Sequence, residues 1–216
     1  MQHRFVAYVD DKPGVLTRVA SLFRRLNINI VSLTVGRSER PGLSRMTIVA
    51  DAPSAAGPRI MASLYKLENV FEVDDVGRFS SVNRELALIK VAATPKTRSH
   101  LFELVEVFRA RVVDLAPESL MIEMTGTESK IEGLLQVLNE SDDRVLEISR
   151  TGQMVMRRGH HTSRVLQALG DTESLVDRKS NPARGFSPAA LPQEDAAAAP
   201  EDEAEVFRGD SSLRIE

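Results

Sequence analysis

Residues 4–50, RFVAYVDDKPGVLTRVASLFRRLNINIVSLTVGRSERPGLSRMTIVA, decide the fold of this chain. Arg4 to Val9 concentrates β-branched and aromatic residues and reads as a strand. Asp10-Asp11-Lys12-Pro13-Gly14 interrupts it. Val15, Leu16, Val19, Leu22, Phe23 and Leu26 then recur at helical spacing and make one apolar stripe. Pro13 suits the first turn of that helix, where its missing N–H has no intrahelical partner. Asn27 and Asn29 mark the exit. A second strand follows over Ile30 to Val35, with Val31, Leu33 and Val35 expected on one face. Pro41-Gly42 stand in the order a type II turn requires, and Leu43 to Ala50 is the next strand.

The same alternation continues outward. Pro58 opens a short helix with Ile60, Met61, Leu64 and Leu67 on one face, and Asn69 ends it. Val70 to Val76 reads as a strand that completes a βαββαβ, ferredoxin-like unit at about Gly77. Phe79 to Asn83 reads as a linker. Arg84 to Ala93, 96–109, Arg111 to Leu115, Ser119 to Thr125, a helix capped by Thr127 and Val145 to Ser149 repeat the order. The expected class is therefore α+β, with two ferredoxin-like βαββαβ domains over residues 1–78 and 84–159. The second has no obvious residue identity to the first. From His160 the composition shifts to Ser, Pro, Ala, Glu and Asp, including EDAAAAPEDEAE, so 160–216 is expected to be a largely disordered acidic tail. Val206-Phe207 is the apolar pair near its end.

Composition excludes several functions. The 216 residues carry a formal net charge of −3, which gives no general attraction to nucleic acid. No run of about 18 apolar residues is present, so no membrane-spanning helix is expected, and no signal peptide is apparent. Cysteine and tryptophan are absent, which removes thiolate chemistry and fits a reducing cytoplasm. No histidine has a partner at metal-ligand spacing except the adjacent pair His160-His161, at the start of the expected tail. Gly126-Thr127 lacks the glycines and lysine of a P-loop. Asp10-Asp11 resembles a carboxylate dyad, but its place at a helix start favours capping and ligand contact. Nothing supports independent catalysis.

One constellation points to binding. Free N–H groups of Gly14, Val15 and Leu16 at a helix N-terminus favour an anion such as a carboxylate, and Gly14 lets it approach the backbone. Spacing alone is equally met by a strand-to-helix turn that binds nothing.

The segments PGVLTRVASLFRRLNINIVSLTVG, LSRMTIVA, RELALIKV, FRARVVDL, MTGTESKIEGLL and RTGQMVMRRG resemble, in order and spacing, the ACT-domain family of amino-acid sensors. More narrowly they resemble small (regulatory) subunits of acetolactate synthase, also called acetohydroxyacid synthase. The likeness covers roughly residues 3–159. It implies an N-terminal ACT domain that pairs with a second copy into a joined sheet. A branched-chain effector amino acid, valine foremost, would sit between Asp11, Pro13, Gly14, Val15 and Leu16 of one chain and Asn29 and Ile30 of the other. The partner implied is the large, catalytic subunit. Thiamine diphosphate, magnesium and FAD would belong to that partner, with no cofactor on this chain. The family often carries Asn where this chain has Asp11. A carboxylate there repels the effector carboxylate, which implies weaker or altered selectivity. A free-standing ACT sensor controlling another enzyme or regulator is the alternative.

Overall fold

The computed structural model describes residues 1–141 and 144–159. The first half builds β1 (Gln2–Asp10), α1 (Val15–Leu26), β2 (Asn29–Arg37), β3 (Leu43–Asp51), α2 (Gly57–Tyr65) and β4 (Val70–Asp75). The strands form an antiparallel sheet in the order β2-β3-β1-β4, so β2 is an edge. Phe5, Ala7, Val9, Met46, Ile48 and Ala50 alternate onto one face and pack with Val15, Val19, Leu22 and Phe23 of α1 and Ile60 and Leu64 of α2. Asn27 closes α1 in the left-handed conformation (φ 55°), and Ile28 N–H reaches back to Phe23 O at 3.1 Å. Gly42, at φ 81°, takes the left-handed position of the expected type II turn, with Leu43 N–H on Arg40 O at 3.3 Å.

The second half repeats the arrangement: β5 (Ser81–Ala92), α3 (Arg98–Val107), β6 (Arg111–Leu115), β7 (Ser119–Gly126), α4 (Glu128–Glu140) and β8 (Val145–Arg150), then β9 (Met154–Arg157). Its sheet runs β6-β7-β5-β8, the same order as the first. Ile89, Val91, Ile122 and Met124 face Leu101 of α3 and Ile131, Leu134 and Leu138 of α4. The Thr127 side chain accepts from Lys130 N–H and caps α4 as expected. The fold is α+β, with two sheets each backed by two helices.

Several local expectations change. Pro13 lies outside the helix, because Gly14 at φ 85° breaks helical geometry and α1 starts at Val15. In β2 a bulge between Ile30 and Ser32 leaves Val31 unpaired and exposed, so Ile30 joins Leu33 against the core. Another irregularity between Tyr8 and Val9 of β1 skips Phe71 in β4 and brings Val70 and Val73 onto the same face. The linker expected at 79–83 is shorter. Strand β5 begins at Ser81, since Ser81 to Arg84 pair with Arg157 to Met154 of β9. The expected acidic tail, with His160-His161 and Val206-Phe207, lies outside the described residues.

Val6, Tyr8, Thr47 and Val49 face away from the helices, yet they are at most 4% exposed. The ribbon that precedes and forms β9 lies against that face. Buried Val155 accepts at its carbonyl from Arg45. The Arg157 guanidinium sits 3.7 Å over the Phe79 ring and 3.5 Å from Asp74 of β4.

Candidate functional site

The loop between β1 and α1 is built around Gly14. Its positive φ turns the chain into the helix without a side-chain cap, and no acidic residue occupies the first turn of α1. Val15 N–H reaches Lys12 O only at 3.5 Å, beyond an effective hydrogen bond. The positive end of the α1 dipole therefore has neither a side-chain cap nor an acid in its own first turn. Around them, Asp11, Pro13, Gly14 and Leu16 are exposed and Val15 is buried. Asp11 Oδ1 accepts from Ser44 Oγ at 3.2 Å. Its neighbour Asp10 takes a different part: it is buried and accepts from Asn69 Nδ2 at 2.8 Å, which ties the loop to the turn before β4.

Asn29 and Ile30 stand at the other end of the sheet. Asp10 of β1 is opposite Leu43 of β3, whereas Asn29 is opposite Asp51 of the same strand. Eight residues of strand at about 3.3 Å each separate the two places by roughly 26 Å. One chain does not bring them together. Two copies joined antiparallel through β2 would, because the start of β2 in one copy then lies beside the end of β2 in the other. That end, at Arg37 and Ser44, neighbours the Asp10 loop. The edge of β2 is uncovered among the described residues and presents Val31 and Val35, 46% and 44% exposed.

An open groove of about 420 Å³ runs from Gly14 along Thr17, Arg18, Ser21 and Arg25 to Leu67. Of the seven expected residues only Gly14 lines it. The groove lies on the side of α1 towards α2, where Arg18 donates to Asn69 Oδ1 at 2.7 Å.

The residues that join the two sheets escape a reading by periodicity. Gln153 is 3% exposed. Its backbone N–H donates to Ser32 Oγ at 3.0 Å, its side-chain amide to Glu128 Oε2 at 2.8 Å, and its Oε1 accepts from Arg4 Nε at 3.0 Å. Gly152 (φ 79°) passes so close to β2 that a Cβ would lie 2.5 Å from Ser32 Oγ, a position only glycine fills. Burial pushes the Glu85 carboxyl above its ordinary value. The neighbouring Arg150 guanidinium lowers it, Glu128 and Glu132 raise it, and Gly152 N–H lowers it. The strand that carries Asn29 is thus held to the second sheet through Ser32 and Thr34. The one signal for this seam was the segment RTGQMVMRRG, whose likeness assigned no residue a role.

Comparison with known proteins accords with this architecture. A family model described as an AHAS small subunit-like ACT domain matches residues 5–72, and one for the small subunit of acetolactate synthase matches 84–159. The probable acetolactate synthase small subunit of Archaeoglobus fulgidus is 43% identical over 160 residues, covering 74% of this chain and 99% of that protein. The small subunit of Mycolicibacterium smegmatis is 47% identical over 157 residues, covering 73% and 91%. The solved structure of the small subunit from Thermotoga maritima aligns with a TM-score of 0.67 at 39% identity, over 74% of this chain and 99% of that one. With its sheet order, its Gly14 loop and its seam all inside the matched residues, this chain belongs to the family of acetolactate synthase small subunits.

Proposed function

We propose that this chain is the non-catalytic regulatory subunit of an acetolactate synthase, and that it senses a branched-chain amino acid, valine foremost, between the ACT domains of two copies. The uncapped, acid-free N-terminus of α1 at Gly14 carries the reading. The amides of Gly14 and Val15 would hold the effector carboxylate. Asn29 of the neighbouring copy would offer its amide, and Leu16 and Ile30 would wall the side chain. Each buried CH₂ contributes about 0.8 kcal/mol, which favours a branched aliphatic group. The register supports a shared site, since one chain holds the two halves at opposite ends of its sheet. Residues 1–78 would sense, and 84–159 would support and transmit.

Regulation would follow by linkage: an effector that favours one arrangement of the pair shifts whatever activity that arrangement controls. The catalytic large subunit would carry thiamine diphosphate, magnesium and FAD and join pyruvate to a second 2-oxo acid.

Reconstitution tests this directly. The purified chain is expected to associate with a large thiamine-dependent subunit, change its rate and confer sensitivity to valine. Failure to associate would leave a free-standing sensor instead. Calorimetry with valine, leucine and isoleucine is expected to show a few-fold tighter binding for Asp11→Asn, which removes a charge facing the effector carboxylate. Equal affinities would take Asp11 out of the site.

A further inference from the structure

The two helices behind the first sheet carry charge of one sign. Arg18, Arg24 and Arg25 lie on α1, Arg59 lies on α2 and Lys66 ends it, while neither helix contains Asp or Glu. All five cations are exposed. Glu68, in the turn that follows α2, stands 3.8 Å from Arg18, which also donates to Asn69. Among the described residues the other four cations have no ion-pair partner. The helices behind the second sheet differ. There α3 and α4 carry Glu103, Glu106, Glu128, Glu132 and Glu140 against Arg98 and Lys130. A chain with a formal net charge of −3 thus concentrates positive charge on one helix layer. Like charges held close repel one another, and an anionic partner relieves that repulsion.

The groove beside α1 gives this layer a shape. Thr17, Arg18, Ser21 and Arg25 recur at spacings of three and four, so one stripe of the helix sets short side chains among two arginines, and Leu67 adds an apolar side. Two other surfaces of the domain are taken. The ribbon of β9 covers the far side of the sheet, where Val6, Tyr8, Thr47 and Val49 are at most 4% exposed, and the edge of β2 is the proposed contact between copies.

We propose that α1 and α2 form the surface on which the catalytic large subunit docks, through an acidic segment of that subunit laid along the groove that Arg18 and Arg25 line. This rests on the reading of the chain as a regulatory subunit. A short acidic segment meets this layer alone, whereas a long polyanion such as nucleic acid also meets the chain's net negative charge. Gly14 borders the groove as well as the effector loop. One helix therefore serves the effector at its start and the catalytic subunit along its flank, so a displacement of α1 on effector binding reaches the partner without an intermediary.

The test is the rate at which the full chain associates with its purified catalytic large subunit, measured by biolayer interferometry at low and at high salt. Arg25→Glu with Arg59→Glu is expected to slow association at least about tenfold at low salt and to flatten its salt dependence, because exposed charges act chiefly on encounter. Glu103→Gln with Glu106→Gln, at exposed positions of α3, is expected to change the rate by less than about twofold. Thermal unfolding should stay cooperative in both variants. An unchanged rate in the arginine variant would overturn the proposal and leave the regulatory reading standing. Failure of the wild-type chain to associate would overturn both. A change in the arginine variant's own sedimentation would give the layer to a second copy, and duplex DNA bound by wild type but not by that variant would give it to nucleic acid. Either result overturns the proposal.

Discussion

Gly14 and Gly152 both adopt positive φ, but their surroundings differ. Nothing lies within 4 Å of a Cβ at Gly14, whereas Ser32 Oγ and Thr34 Oγ1 would lie 2.5 and 2.9 Å from one at Gly152. Gly14→Ala therefore carries only the left-handed backbone cost, about 1 kcal/mol. Gly152→Ala adds overpacking and is expected to cost about 2–4 kcal/mol. Urea unfolding of the two variants side by side measures the difference. Glu85 makes a pH prediction. The residue is 5% exposed, and its carboxyl titrates above the ordinary value of 4.5 in the fold, chiefly through burial. The folded state therefore favours the protonated form. That stabilising contribution is full below the unfolded value and is lost as pH rises through the folded one. Stability attributable to this group should increase as pH falls from neutrality towards the ordinary carboxylate range. Glu85→Gln should flatten that component and raise the neutral-pH melting temperature, as read by thermal unfolding across pH.

At the scale of elements, β2 combines two duties. Ser32 and Thr34 are engaged by the turn before β9, with Thr34 Oγ1 donating to Thr151 O at 3.3 Å. The outer edge presents Val31 and Val35 to solvent. A nine-residue edge strand that is uncovered among the described residues and carries exposed valines is a template for pairing. Val31→Lys with Val35→Lys should change the stability of the isolated chain by no more than about 0.5 kcal/mol. On the proposed pairing through β2, the same pair should shift sedimentation from dimer towards monomer and weaken valine binding in step. A dimer that survives both substitutions would place the contact elsewhere. The bulge at Val31 was hidden from sequence, because period-2 counting assigns each apolar residue a face and cannot see an extra residue without its partner strand.

At the scale of the molecule, Gln153 joins β1, β2 and α4 at one buried point. Gln153→Ala removes the side-chain bonds and leaves Arg4 and Glu128 without those partners, at an expected cost of about 2–3 kcal/mol. Hydrogen exchange should then rise in β2 and the first turn of α4. The two cores, built on Phe23 and Ile48 and on Ile89 and Ile122, should keep their protection. If both sheets lost protection together, the seam would be part of one cooperative core rather than a joint.

Sequence alone determined most of the elements, their order along the chain and the glycine loop. Those depend on local periodicity, turn chemistry and helix-end electrostatics, all of which act over a few residues. Tertiary structure decided what sits between them. Asp75 acquires an unpaired oxygen and Gln153 three partners only because residues far apart in the chain are packed side by side. A polar residue's burial is set by that packing, and no spacing along the chain encodes it.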